Sequence, residues 1–131
     1  MEIKEILNQF IDAKQGDFND LSPFDFVGVY IIYKKDTNEI VYVGSAYARF
    51  IQTRLAQYLS ETDTGNTLGK AVAKKLAKCE KYDDVAKKEI SKAVSIIKSN
   101  FSIIAIPHCD LEYKLIKDIS PIYNNKGKKE D

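Results

Sequence analysis

The chain has 131 residues, 44% of them hydrophobic, with eight tyrosines and six phenylalanines, enough for one domain with a substantial core. It contains no run of eighteen apolar residues, and its first twenty residues carry Glu2, Glu5, Asp12 and Asp17, so neither a membrane span nor a signal peptide is expected. The net charge of +1 is unevenly spread: residues 1–26 hold six acids and two lysines, a net of −4, which leaves +5 for the rest.

That positive excess matches residues 70–98, with nine lysines against four acids. Such a bias suits a nucleic-acid backbone, and it equally suits solvated helices with lysine-rich faces. Lys70, Lys74 and Lys78, together with Arg49, are the candidate backbone contacts. Cys79 and Cys109 have no tight spacing and read as reduced thiols of a cytoplasmic protein.

In chain order, "MEIKEILNQFIDA" spaces Ile3, Ile6, Leu7, Phe10 and Ile11 as one helical face. "QGDFNDLSPFDF" reads as a loop, broken at Ser-Pro. Residues 1–26 read as a structural cover, and their acidity makes them a poor nucleic-acid surface. Residues 27–33 and 40–44 are rich in Val, Ile and Tyr and predict an antiparallel hairpin turning at "KKDTNE". Alternation puts Val27, Val29, Ile31 and Tyr33 on one face, and Gly28, Tyr30 and Ile32 on the other. In the second strand Tyr42 shares a face with Gly44, opposite Val41 and Val43, so Tyr30 and Tyr42 can lie on one side of the sheet.

Residues 49–59 predict a helix with Ile51, Leu55 and Leu59 inward; Arg54 and Tyr58 are one turn apart beside that stripe. Two further helices are expected at 67–79 and 82–98, the second burying Val85, Ile90, Ala93, Val94 and Ile97. "FSIIAIP" is a third strand closed by Pro107, and "CDLEYKLIKDI" a short helix with Leu111, Leu115 and Ile119 inward, capped by Asp110. The result is an α/β domain: a three-stranded antiparallel sheet flanked by helices, with an extra N-terminal helix and a helical insert. The expected divisions are residues 1–26, a domain over 27–125 and a disordered tail over 126–131.

No Walker loop, dinucleotide fingerprint or Cys/His metal motif occurs. The single histidine, His108, could join Asp110 and Glu112 in a metal group; the same residues also suit a polar strand-to-helix turn. Cys109 is adjacent to His108, and side chains adjacent in an extended segment point apart, so a Cys–His nucleophile pair is a poor fit.

The remaining polar candidates come in order as "GVY", "YVG", "RLAQYL", "LEYKLI" and "PIYNN". This series resembles the GIY-YIG nuclease superfamily over residues 27–125. Each fragment is weak alone; their order on the expected elements is the specific signal. Gly28 and Tyr30 match the first signature with Val29 replacing isoleucine, and Tyr42 and Gly44 the second with Val43 replacing it. Arg54 resembles the catalytic arginine, although the loop at "SAYAR" is a couple of residues longer than usual; Arg49 is the rival, without a tyrosine four residues on. Tyr58 stands where members carry histidine or tyrosine, and Glu112 resembles the metal-binding glutamate. Asn124, or Asn125 in a slipped register, resembles the asparagine near the domain's end. Ser45 occupies the place of a lysine found in some repair nucleases.

The resemblance implies a Mg²⁺- or Mn²⁺-dependent endonuclease with Tyr30, Tyr42, Arg54, Tyr58 and Glu112 as its catalytic group, Glu112 holding the metal, and Gly28, Gly44 and Asn124 supporting the site. It implies DNA as partner, branched or damaged DNA included, with RNA left open and a homodimer or partner protein as a source of specificity. Two rival readings are a non-cutting nucleic-acid-binding module of the same fold and a structural or protein-interaction domain. Tyr30 and Tyr42 would then be a cross-strand aromatic pair, and Arg54 and Glu112 solvated helix residues.

Overall fold

The computed structural model describes residues 2–59, 94–108 and 112–119. Helix α1 spans Ile3–Gln9, β1 Lys14–Asp17, β2 Gly28–Lys34, β3 Ile40–Ala46 and α2 Ile51–Gln57. Residues 94–100 are helical, here α3. Strand β4 spans Phe101–Ile106 and α4 Glu112–Ile119. The helix expected at 67–79 and most of that at 82–98 lie outside the described residues, as do Lys70, Lys74, Lys78, Cys79, Cys109, Asp110, Leu111, Asn124, Asn125 and the tail, and the side chains of Glu112 and Ile119.

The sheet has four strands in the order β1-β4-β2-β3, and every pair is antiparallel. This corrects the expected three. Lys14–Asp17, read as loop, pairs with β4 from Lys14↔Ala105 to Asp17↔Ser102. A partly exposed edge strand needs no apolar alternation, so "KQGD" carries no strand pattern. Its one signal is Gly16: a Cβ there would stand 2.9 Å from the Phe24 ring, so Phe24 packs directly onto the strand's backbone. The central strands, buried on both faces, show the opposite pattern: "VYIIY" and "SIIAI" are nearly continuous apolar runs. Each fully buried isoleucine there contributes about 2 kcal/mol relative to exposure.

The sheet separates two cores. One holds Tyr30, Ile32, Val41, Ile103 and Ala105 beneath Ile51, Leu55, Tyr58, Phe18, Phe24 and Ile97. The other holds Val29, Ile31, Val43, Ile104 and Ile106 against Ile3 and Ile6 of α1 and Leu115 and Ile116 of α4. The expected alternation holds along β2 from Val29 to Tyr33 and breaks in β3. Ile32 pairs with Tyr42 but Tyr33 pairs with Ile40, so Val41 is the extra residue of a bulge. It joins the Tyr30 core instead of sharing Val43's side, because one extra residue reverses the side-chain alternation.

Several inward assignments also change. Helix α1 ends at Gln9, leaving Ile11 92% exposed. Val27 precedes the strand and is exposed. On α4 Leu115 is buried as expected, and Ile116, not among the expected inward residues, is buried beside it. Residues 1–26 are more than a cover, since Phe18 and Phe24 enter the tyrosine core. The hairpin turn closes through Asn38 N–H donating to the Lys34 carbonyl at 2.8 Å, with Asn38 at φ 63°, a left-handed position asparagine tolerates.

Candidate active site

The two tyrosine–glycine signatures solve different packing problems. Gly28 has φ 153°, and a Cβ there would stand 2.1 Å from the Ile106 carbonyl oxygen. Glycine therefore lets β2 enter against the end of β4. Gly44 pairs with Tyr30 across the ladder, and its Cβ would stand 2.5 Å from both Cζ and the hydroxyl of Tyr30. The missing side chain is the space in which the Tyr30 ring lies.

The ring that fills this space joins two others. Tyr30, Tyr42 and Tyr58 have centroids 6.1–6.3 Å apart, with edge geometries around Tyr58 that suit aromatic quadrupoles. The Tyr30 and Tyr58 hydroxyls share a 2.7 Å hydrogen bond. Both residues are buried, while Tyr42 is half-buried at the rim. Phe18 closes the cluster, edge-on to Tyr58 with centroids 6.4 Å apart. Phe18 is the supporting residue that sequence reasoning missed; an aromatic in an apparent loop was its only signal.

Tyr58 stands at the C-terminal cap of α2, one residue past the helix. Burial pushes its phenol well above the ordinary tyrosine range, and the neighbouring Tyr30 and Tyr42 push further the same way. At neutral pH it is a neutral hydroxyl.

The other candidates divide. Arg54 is exposed on the last turn of α2, its guanidinium donating to the Gln57 side-chain oxygen at 3.3 Å. It shares a short helix with Tyr58 but stays in water. Arg49, exposed, precedes the helix, which begins at Ile51 instead of at 49. Glu112 is the first residue of α4. That helix buries Leu115 and Ile116 in the core opposite Tyr30 and packs beside β3. The described residues thus gather the three tyrosines, keep Arg54 on an adjoining helix, and start the Glu112 helix beside the edge strand.

His108 turns out to face Asp12, Nε2 to Oδ2 at 3.1 Å, and half of each side chain is in solvent. Among the described residues no three His, Cys, Asp or Glu groups gather as a metal cluster. No helix among them is long and apolar enough to cross a membrane.

The profile of the GIY-YIG catalytic domain matches residues 26–126. The chain belongs to the GIY-YIG family. No curated protein and no solved structure matches it significantly. GIY-YIG domains are nuclease domains, usually endonucleases, that act on nucleic acid and generally depend on a divalent metal. The four-stranded antiparallel sheet with its flanking helices is compatible with that family.

Proposed function

We propose that the protein is a metal-dependent endonuclease that hydrolyses phosphodiester bonds in DNA. The supporting observation is the three-tyrosine cluster seated over Gly44, with Arg54 on the helix that ends at Tyr58.

Hydrolysis needs a base for the attacking water, a partner for charge on phosphorus, and an in-line arrangement. Tyr58, held neutral, is a donor and not the base. Its hydroxyl lies 2.7 Å from that of Tyr30, so it can donate to the Tyr30 oxygen and steady the phenolate left once Tyr30 has released its own proton to solvent. That leaves the Tyr30 phenolate to take the proton from water, and Tyr42, at the rim, to hold the water or a phosphate oxygen. Arg54, exposed, forks onto two non-bridging oxygens, a geometry the planar guanidinium supplies and lysine does not.

Glu112 fits a divalent cation by its chemistry: a carboxylate is the hard oxygen donor that Mg²⁺ takes, and Mg²⁺ keeps several waters, so one protein ligand suffices. When bound, Mg²⁺ or Mn²⁺ would neutralise charge on the phosphate and the leaving oxygen. Gly28 lets β2 close against the end of β4, and Gly44 leaves the space that the Tyr30 ring fills. Asn124 and the lysines at 70, 74 and 78 are assigned to site support and backbone contact by sequence alone.

A second reading, a module that binds nucleic acid without cutting, draws on one observation: Tyr30 and Tyr58 are closed from solvent. A cleavage screen decides between them, using supercoiled, branched, flapped and single-stranded DNA and RNA with Mg²⁺ or Mn²⁺. Wild type should cut. Arg54→Ala should lose on the order of 10²–10³-fold in rate, the scale of one transition-state donor, with unchanged stability because the side chain is exposed. Glu112→Ala should lose the metal-dependent cutting. Binding by wild type without cutting selects the second reading; equal cutting by all three proteins discards the site.

A further inference from the structure

We propose that Tyr47 and Phe50, with Arg49 between them, form a platform that stacks an unpaired nucleotide of the DNA next to the cleaved phosphate. This rests on the nuclease reading and names the substrate feature that the site selects.

The platform is the stretch that makes the loop after β3 long. Among the large hydrophobic side chains described, four are substantially exposed: Ile11, Val27, Tyr47 and Phe50. Three of them lie at one end of the sheet. Gly28 pairs with Ala46 as the last rung of the β2–β3 ladder, so Val27 and Tyr47 flank that rung on neighbouring strands. The Ile51 N–H donates to the Phe26 carbonyl at 2.8 Å, which fastens the start of α2, and Phe50 with it, to the same end. Tyr47 is 61% exposed and Phe50 50%. Two aromatic side chains, each at least half exposed, form an adhesive patch, and the Ile51 bond to Phe26 fixes the backbone beside Phe50.

Charge and position choose the occupant. Arg49 and Arg54 are the chain's two arginines, and both are exposed in this segment. The Arg54 N–H donates to the Phe50 carbonyl at 3.2 Å, so Phe50 stands one turn before the candidate phosphate clamp. Exposed aromatic faces interleaved with arginine are the chemistry of a stacked base beside its phosphate. A paired base is already stacked on its neighbours and offers no free face, so the surface favours a flap, bulge or single-stranded junction. Asp25, exposed two residues before Val27, is the one acid near this end in sequence.

The test uses the full chain in EDTA, where no cutting occurs, and DNA carrying 2-aminopurine either as a single unpaired residue or within the paired duplex. Wild type should quench the unpaired probe and bind that DNA more tightly than the duplex. Tyr47→Ala/Phe50→Ala should lose the quench and about tenfold in affinity for the unpaired form, while duplex affinity and the urea midpoint stay put. Tyr47→Phe and Phe50→Tyr should retain both. Equal binding of the two DNAs by wild type, equal loss on both in the double variant, or no binding of either overturns the proposal. So does a self-associated chain that the double variant dissociates, since the patch would then be a contact between copies. The nuclease reading fails separately: it falls if wild type with Mg²⁺ cuts nothing, whatever the quench shows. It survives if cutting proceeds without any preference for unpaired residues.

Discussion

The two faces of the sheet are built on opposite principles. One face presents Val29, Ile31, Val43, Ile104 and Ile106 to α1 and α4, an almost wholly aliphatic layer. The other presents Tyr30, with Tyr42 beside it, to α2, and it places hydroxyls inside the packing. The aliphatic layer needs only shape, so it can be tight and indifferent to pH. The tyrosine layer must also pair its hydroxyls, and it accepts a missing side chain at Gly44 to do so. The tyrosine hydroxyls and the aliphatic layer therefore sit on the two sides of the same strand, one residue apart, while Glu112 starts the helix that packs on the aliphatic side.

The largest expected effect breaks the aliphatic side alone. Ile104 is fully buried there, so Ile104→Ala should cost about 3 kcal/mol, transfer and cavity together. Chemical denaturation measures it. Its cleavage rate per folded molecule should stay close to wild type, because the tyrosine layer is untouched and Leu115 and Ile116 still seat the Glu112 helix. A proportionate loss of rate at full folding would mean the two faces are coupled and the division is wrong.

Why one face was easier to read than the other follows from the same contrast. Central strands buried on both sides must be apolar at every position, so "VYIIY" and "SIIAI" announced themselves. Strand β1 is a four-residue edge whose backbone does the pairing, and "KQGD" has no pattern to show. The Val41 bulge is invisible because alternation assumes one residue per rung. The tyrosines were found through their order along the chain, and alternation placed Tyr30 and Tyr42 on one side correctly. That Gly44 exists to receive Tyr30, and that Phe18 seals Tyr58, depends on contacts across 14 and 40 residues, which no local pattern encodes.

A smaller effect on stability should accompany a larger one on cutting at Gly44. A Cβ there would meet the Tyr30 ring at 2.5 Å, and the ring, packed on its other side, must tilt. Gly44→Ala should cost about 2 kcal/mol, the scale of one overpacked methyl, yet displace the hydroxyl that the proposed reaction uses. Its cleavage rate should fall at least as far as that of Arg54→Ala, the reverse of the Ile104→Ala pattern. Paired measurements of denaturation and cleavage on both variants give the contrast; if Gly44→Ala cuts normally, Tyr30 is a packing residue.

The smallest effect is the one that pH resolves. Tyr58→Phe removes the buried bond to Tyr30 and should cost about 1 kcal/mol at pH 8. A free tyrosine ionises near pH 10, and burial holds Tyr58 in its neutral form beyond that point. Below pH 10 both the folded and unfolded chains carry this proton, so the group adds no pH dependence. Above it the unfolded chain releases the proton and the folded chain keeps it. Wild-type stability then falls by up to about 1.4 kcal/mol per pH unit from this residue. Phenylalanine cannot do this, so the gap between variant and wild type should shrink on going from pH 8 to pH 11, and close or reverse. Urea unfolding at the two pH values measures both gaps. An unchanged gap would mean that Tyr58 ionises as readily folded as unfolded. In that case Tyr58, and not only Tyr30, would have to be considered as the group that takes the proton from water.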